Sequence, residues 1–285
     1  MSLQLSLLQG YKPLMHFSRS QTVARLVTTC AFFIFLTYCL VLTSTANARP
    51  PKRILVVTVT KGFRHDSIPM AEAVIGALGL GGGWETDFAR TDEDIAQKMT
   101  ADALKKYDGV VFANTTGDLP LPDRAAFLAW LRSGKAFIGV HSATDTFHGW
   151  QEYLSFLGGE FLTHGPQVEV SCINDDPTHP ATREKEWGLT RNVYDEIYQL
   201  KGFDPARVHS LLRLDKHPNN KTPGNYPISW TRIEGKGRVF YTSLGHRQEV
   251  WTSSWYQVHV RGGIRWALGL EKGNDTPGLS PSLTR

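Results

Sequence analysis

The spacing of apolar positions predicts alternating strands and helices in the first half of the chain. Short apolar or β-branched runs predict four strands, at 53–60, 84–89, 109–113 and 136–140. Apolar residues at helical spacing predict three intervening helices, which start near Ser67, Thr91 and Asp123. The connections are short. This order predicts a parallel, doubly wound sheet with helices on both faces.

The second half of the chain has more turns and fewer helices. Strand-like runs occupy 167–173, 196–200 and 208–214 in a region rich in Pro, Asp, Asn and His. Two further runs, 228–233 and 238–244, flank a Glu-Gly-Lys-Gly turn, and 254–268 has helical spacing. The fold class expected is therefore α/β, with a mainly parallel sheet and a C-terminal β-hairpin plus helix.

The chain is predicted to have three segments, a signal peptide at 1–48, one domain at 49–271 and a flexible tail at 272–285. Three basic residues precede the uncharged stretch Leu26–Leu42, and the small-residue site Ala46–Ala48 follows. This is the pattern of a secretory signal peptide cleaved after Ala48, which predicts a periplasmic or extracellular protein. A retained membrane anchor is the alternative, because an apolar stretch of this length can just span a bilayer.

Charge and cysteine content restrict the classes of partner. The full chain has 31 Lys and Arg against 27 Asp and Glu. Three of the basic residues lie in the leader, so the rest of the chain is nearly neutral. Its charge gives no reason to expect binding to nucleic acid or, after cleavage, to a membrane. Cys172 is the only cysteine beyond the leader, so stability must come from a packed core. Homo-oligomerisation stays open.

Polar side chains crowd the end of the strand at 136–140, and open α/β sheets bind ligands at such strand ends. His141 follows this strand directly, His65 follows the first strand, and His246 follows the hairpin. Because parallel strands end at the same edge of a sheet, we expect the three imidazoles to meet there. Imidazole suits Zn²⁺ and similar ions, although no H-x-H or H-E-x-x-H spacing occurs. A metal site and a metal-free acid/base site both stay open.

The residues around His141 resemble a nucleophile elbow, the strand-to-helix turn of the G-x-S-x-G type. In Gly139-Val140-His141-Ser142-Ala143 the nucleophile position is occupied by His141, and Ser142 lies one residue beyond it. A serine hydrolase is therefore disfavoured. Thiol chemistry is not expected at this turn, because no cysteine is near it in the sequence.

Six short motifs are distributed between about Arg53 and Leu270. They are Lys61-Gly62-Phe63-Arg64-His65, Gly139-Val140-His141-Ser142-Ala143-Thr144-Asp145, Gly158-Gly159-Glu160-Phe161-x-x-His164, Asp176-Pro177-x-His179-Pro180, Asp195-Glu196-x-Tyr198 and Ser243-Leu244-Gly245-His246. Together they resemble the ThuA-like (trehalose utilisation) family. The resemblance implies a class I glutamine amidotransferase-like, flavodoxin-like fold in which histidine replaces the cysteine. It also implies a link to trehalose and related disaccharides, with oxidised (keto) sugars as substrates.

These observations assign expected roles to individual residues. His141 is the expected central acid/base group or metal ligand, and the other catalytic candidates are His65, Asp145 and Glu196. Asp145 either orients His141 or caps the next helix. The candidate ligands of a divalent metal, with Zn²⁺ the first choice, are His65, His141, His164 and His246. No nucleotide cofactor is expected. The candidate substrate-binding residues are Arg64, Ser142, Trp150 and Arg247.

The function expected is that of an exported protein that acts on a sugar or oxidised glycoside by hydrolysis, elimination or isomerisation. Glutaminase activity is not expected, because that chemistry needs a nucleophilic thiolate at the elbow. The alternative is a non-catalytic carbohydrate-binding protein. Such a protein needs aromatic platforms for a sugar ring, and Trp150, Trp187 and Trp251 fall in or near predicted loops.

Overall fold

The structure is a computed structural model that describes residues 50–278. The predicted signal peptide and its cleavage site lie outside these residues. Among the helices from 50 to 278, none combines the length and the hydropathy needed to cross a bilayer.

Eleven strands lie within the described residues. They are β1 (Lys52–Val57), β2 (Trp84–Ala89), β3 (Gly109–Ala113), β4 (Ala136–Val140), β5 (Glu160–His164), β6 (Val168–Asn174), β7 (Thr190–Asp195), β8 (Tyr198–Lys201), β9 (His209–Lys216), β10 (Pro223–Glu234) and β11 (Gly237–Thr242). Nine of them form one sheet, and β5 pairs with β8 in a separate two-stranded antiparallel sheet.

The same part of the chain contains eight α-helices and two short 3₁₀ helices. The α-helices are α1 (Ile68–Gly79), α2 (Asp92–Lys98), α3 (Ala101–Leu104), α4 (Arg124–Arg132), α5 (Gln151–Leu157), α6 (Glu184–Trp187), α7 (Gln248–Thr252) and α8 (Ser254–Ala267). The 3₁₀ helices are His141–Asp145 and Pro205–Arg207.

The large sheet separates two apolar layers, as β1 shows. Ile54 and Val56 pack into one buried cluster with residues of α1 and α8. Leu55 and Val57 point the other way and pack into a second cluster with residues of α2, α4 and α5. This alternation follows from the period of two along a strand. Helices therefore cover both faces, and the predicted doubly wound α/β fold is confirmed.

The order of the nine strands is β2-β1-β3-β4-β11-β10-β9-β6-β7. The first five are parallel, and the last four continue the sheet in antiparallel pairs. β1, β4 and β11 therefore end at the same edge. β3 lies between β1 and β4, so the strands that precede His65 and His141 are not neighbours.

The structure differs from the sequence predictions in several details. β5 and β7 were not predicted, and the strand expected at 196–200 starts at Tyr198, so Glu196 lies in the turn before it. The described part of the tail is also docked rather than loose. The backbone N–H of Gly278 donates to the carbonyl of Val208 at 2.7 Å, and the Gly278 carbonyl accepts from the N–H of Ser210 at 3.2 Å. These bonds extend the sheet at the start of β9.

Candidate metal centre

Three histidines and one glutamate converge at the carboxyl edge of the parallel strands. Each of His65, His141, Glu196 and His246 offers one ligand atom, and these atoms all lie within 4.8 Å of one another. The ring centroids are 4.8 Å apart for His65 and His141, 5.1 Å for His65 and His246, and 5.3 Å for His141 and His246. The strand ends thus bring together the three histidines expected to meet.

His141 is held by one hydrogen bond at its ring and one at its backbone carbonyl. It follows β4 directly and has a φ of 50°, the left-handed conformation that is uncommon for residues other than glycine. Its Nδ1 lies 2.7 Å from the carbonyl oxygen of Ser243, and the hydroxyl of Tyr241 donates to the His141 carbonyl at 2.8 Å. A carbonyl can only accept, so Nδ1 carries a proton and a neutral ring leaves its lone pair on Nε2. That nitrogen faces the cluster.

His65 and His246 present one buried nitrogen each to the same space. Nδ1 of His65 and Nδ1 of His246 have no hydrogen-bond partner, and the same is true of Nε2 of His141. Burial, followed by the charges of His141 and His246, lowers the pKa of His65 to about 3. His65 is therefore neutral at neutral pH. Burial alone would lower the pKa of His246, but Glu196 beside it raises that pKa above the ordinary value.

Glu196 supplies the negative charge of the cluster. Its side chain is almost buried, and Oε2 lies 3.5 Å from Nε2 of His141 and 3.2 Å from Nδ1 of His246. These distances suit ion pairs, but neither contact is aligned as a hydrogen bond. Burial opposes ionisation, yet the attraction of His141 and His246 holds the pKa of Glu196 well below its usual range. Glu196 is therefore a carboxylate.

This donor set fits a divalent cation. Buried polar atoms are normally satisfied, but Nε2 of His141 and Nδ1 of His246 lie beside the Glu196 carboxylate without a hydrogen bond, and Nδ1 of His65 is also buried without a partner. A metal ion satisfies all four donors at once, and imidazole with carboxylate suits Zn²⁺, Fe²⁺ or Ni²⁺. The bond from Nδ1 of His141 to a backbone carbonyl is also the outer-shell contact that orients metal-ligating histidines. Protons shared between these nitrogens and the Glu196 carboxylate would satisfy the nitrogens less completely than a metal ion would.

Asp195 fixes the loop that carries His246, and sequence reasoning missed this role. Its buried carboxylate accepts from the backbone N–H of Gly245 at 2.7 Å and from that of Arg247 at 3.2 Å. The two bonds flank His246 on either side. Gly245 has a φ of +117°, and a Cβ there would lie 2.6 Å from the Tyr256 hydroxyl, so the loop requires glycine.

Ser67 and Asn114 tie the loops of His65 and His246 together. The Ser67 hydroxyl donates to the carbonyl of Gly245 at 3.1 Å, and the amide of Asn114 donates to the same oxygen at 3.0 Å. Ser67 precedes α1 as predicted, but its hydroxyl makes this contact and does not cap the helix. Asn114 directly follows β3, as His141 directly follows β4. This position of a polar residue just after a strand was the signal that could have identified Asn114.

His164 lies at the edge of the centre. Its Nδ1 is 3.1 Å from Oε1 of Glu196, on the opposite carboxylate oxygen from His141 and His246. The side chain is 44% exposed and belongs to β5, outside the four converging ligand atoms. In the adjacent strand Tyr198 places its ring 4.4 Å from the ring of His141. The small β5–β8 sheet thus lines one side of the cluster.

Asp145 and Ser142 do not contact the cluster in the expected way. Oδ1 of Asp145 lies 2.7 Å from Nε2 of His148, and Nδ1 of His148 lies 2.7 Å from Oε1 of Glu160. Asp145 therefore orients His148 and not His141, and the residue before α5 is Trp150. Ser142 is fully buried, and its hydroxyl has no partner among the described residues. This burial argues against direct contact with a substrate.

The tryptophans expected as sugar platforms belong to the core. Trp150 is 5% exposed, and its ring packs 5.2 Å from Phe147 and 5.7 Å from Tyr153. Trp187 and Trp251 are also buried. The interpretation of these residues as stacking surfaces was wrong, because the segments that carry them fold back onto the apolar layers.

The two candidate arginines flank the centre. Arg64 is exposed next to His65 and donates from Nη1 to the carbonyl of Thr58 at 3.0 Å. Arg247 is half-buried next to His246, and its guanidinium lies 5.0 Å from the ring centre of Tyr194. Both remain candidates for contact with a ligand.

The fold is similar to solved structures of known proteins. A ThuA-like protein from Parabacteroides merdae has a TM-score of 0.64 at 19% identity, with 80% of this chain and 95% of that chain covered. One from Bacteroides uniformis has a TM-score of 0.61 at 22% identity, covering 81% and 97%. A cytoplasmic protein from Salmonella typhimurium has a TM-score of 0.54 at 13% identity, covering 75% and 99%. At these identities the similarity shows the fold.

The family is shown by the sequence. No curated protein sequence gave a match. The profile of the family described as trehalose utilisation, ThuA, matches residues 53–267, which include every residue of the histidine–glutamate cluster. The chain therefore belongs to the ThuA (trehalose utilisation) family, which has the glutamine amidotransferase-like fold.

Proposed function

We propose that this protein is a metal-dependent enzyme that acts on a sugar or oxidised glycoside by hydrolysis, elimination or isomerisation. One observation carries the proposal. Two buried imidazole nitrogens without hydrogen-bond partners, Nε2 of His141 and Nδ1 of His246, lie 3.5 and 3.2 Å from Oε2 of Glu196, and His65 offers a third nitrogen within 4.8 Å of the other ligand atoms. The family description, trehalose utilisation, supports a disaccharide or its keto form as the substrate.

The residues at the site have different chemical roles. His65, His141, His246 and Glu196 would hold the ion, which would act as a Lewis acid on a carbonyl or hydroxyl oxygen and would lower the pKa of a bound water. The exposed ring of His164, 3.1 Å from Glu196, is placed to exchange protons between the centre and solvent. The hydrogen bond from His141 to the Ser243 carbonyl keeps its Nε2 directed at the centre.

The alternative of a non-catalytic carbohydrate-binding protein does not account for the polar cluster. A binding protein needs aromatic faces for a sugar ring, but it does not need three imidazoles and a carboxylate brought together. The three tryptophans expected as platforms, Trp150, Trp187 and Trp251, are also buried. The convergent polar groups therefore favour catalysis.

The test combines metal analysis with a substrate screen. Purified protein without a tag is analysed for metals, stripped with a chelator, and reloaded with Zn²⁺, Fe²⁺ or Ni²⁺. Trehalose, related disaccharides and their 3-keto forms are then assayed for turnover. We expect activity that disappears on chelation, returns on reloading, and is absent in His141→Asn. Undiminished turnover by the stripped protein would rule out the metal.

We also propose that the protein is exported and that cleavage follows Ala48. The uncharged stretch Leu26–Leu42 and the Ala-Asn-Ala site support this proposal. N-terminal sequencing of protein from the periplasm or the medium should begin at Arg49. An intact leader recovered in the membrane fraction would contradict it.

A further inference from the structure

We infer that Phe63 is the stacking platform of a saccharide subsite beside the histidine–glutamate cluster. The inference rests on the proposed function and specifies which surface of the protein receives the sugar ring. Phe63 is 65% exposed, and its ring meets the ring of His65 edge-on at a centroid distance of 4.9 Å. One side of the phenyl ring therefore touches a residue of the centre while the rest faces solvent.

Half of the exposed apolar residues lie close in sequence to residues of the site. Six large hydrophobic side chains are exposed among residues 50–278. Three of them precede a residue of the site by two positions, namely Phe63 before His65, Leu162 before His164 and Tyr194 before Glu196. Of these three, Phe63 contacts the centre directly, through the ring of His65. A sugar matches an apolar ring beside polar groups, because it has hydroxyl groups at its edge and an apolar C–H face.

The loop of Phe63 is rigid, so the exposure of its ring is built into the fold. The Thr116 hydroxyl accepts from the backbone N–H of Gly62 at 3.1 Å and donates to the carbonyl of Phe63 at 3.0 Å. The Thr116 carbonyl also accepts from the N–H of Lys61 at 2.8 Å. Thr116 itself is buried. A loop whose backbone is held in place loses less conformational entropy on binding than a free one, which favours a role in recognition.

Phe63 also differs from the aromatic residues expected to serve this purpose. Trp150 is 5% exposed and packs inside a layer of aromatic rings. Phe63 is the only phenylalanine in the described part of the chain with a large exposed area. Arg64 follows it and places an exposed cation on the same loop. One segment therefore carries both an aromatic face and a positive charge.

The test is calorimetric titration of zinc-loaded protein with trehalose and with its 3-keto form. The variants are Phe63→Ala, which removes the ring, and Phe63→Trp, which keeps an aromatic face. Leu80→Ala is the matched control, because Leu80 is 88% exposed at the end of α1 and precedes no residue of the site. The zinc content of each protein is measured in parallel.

We expect Phe63→Ala to weaken binding of the sugar by about tenfold or more, equivalent to about 1.4 kcal/mol. Phe63→Trp and Leu80→Ala should bind like the wild type, and all variants should keep their zinc. Equal affinity of the wild type and Phe63→Ala would overturn the platform but leave the proposed function intact. Loss of zinc in Phe63→Ala would also overturn it. No binding of either sugar to the wild type would refute the proposed substrate class, and the inference with it.

Discussion

Zinc should stabilise the folded protein, because only the native state brings the four donor atoms of the centre together. At a free Zn²⁺ concentration of 100 times Kd, the free energy of unfolding should rise by about 2.7 kcal/mol. For a domain of this size each kcal/mol raises Tm by about 2–4 °C. We therefore expect zinc to raise the Tm of chelator-treated protein by about 5–10 °C.

His141→Asn separates the loss of a ligand from damage to the fold. His141 has a φ of 50°, and asparagine tolerates this left-handed conformation better than other residues with a Cβ. The amide Nδ2 of asparagine is bonded to Cγ, as is Nδ1 of histidine, so it can donate to the Ser243 carbonyl in place of His141 Nδ1. The contact contributes about 1 kcal/mol, so the metal-free Tm of the variant should lie within about 2–4 °C of that of the wild type. Without Nε2, its zinc-induced rise in Tm should be less than half that of the wild type.

Thermal unfolding followed by circular dichroism, with and without zinc, measures both quantities. Asp102→Asn is the control, because Asp102 is 91% exposed and its contact with Lys105 lies on the surface. This variant should respond to zinc like the wild type. Equal zinc-induced rises in wild type and His141→Asn would refute the assignment of His141 as a ligand. A wild type that does not respond to Zn²⁺, Fe²⁺, Mn²⁺ or Ni²⁺ would refute the metal centre.

Three further predictions concern buried groups. Asp195→Asn should weaken zinc binding by about 10–100-fold, because one of the two contacts between Asp195 and the His246 loop is lost. The substitution should also alter the visible spectrum of the Co²⁺-substituted protein. An unchanged affinity for zinc would count against this role of Asp195. Burial opposes ionisation of Asp176, but hydrogen bonds from His209 and Thr178 lower its pKa to about 2. Its stabilisation, about 2 kcal/mol, is therefore complete above pH ~4 and lost as pH falls to ~2. Urea unfolding at pH 5 and pH 3 should show Asp176→Asn lacking this dependence. The protein should release no ammonia from glutamine, because burial raises the pKa of the Cys172 thiol to about 12 and so keeps it protonated. Ammonia release that vanishes in Cys172→Ser would contradict this prediction.

The parallel half of the sheet could be predicted because its strands are buried on both faces. The run Ala136–Val140 contains only apolar residues and glycine, and the structure has β4 at these residues. The places of His65, His141 and His246 followed from the same argument, since parallel strands end at one edge. The hairpin was also predicted, although β10 begins at Pro223, before the apolar run that identified it.

The edge strands and the polar contacts could not be predicted, for two physical reasons. β7 lies at the edge of the sheet and only Val193 and Asp195 in it are buried, so it lacks an apolar run. The bonds that position the centre join residues distant in sequence. Asp195 and Gly245 are 50 residues apart, and Asn114 and Gly245 are 131 apart. A single sequence gives no sign of such pairs.

The centre requires both halves of the sheet, and each half contributes something different. Three imidazoles lie in the segments that follow the parallel strands β1, β4 and β11. They provide nitrogen donors but no negative charge. Glu196 comes from the turn after β7, which is the last strand of the antiparallel half. Asp195 is the last residue of β7, and its bonds to Gly245 and Arg247 attach this strand end to the loop that follows β11. The antiparallel extension therefore supplies the carboxylate that makes the cluster suitable for a cation, and it holds His246 in place next to it.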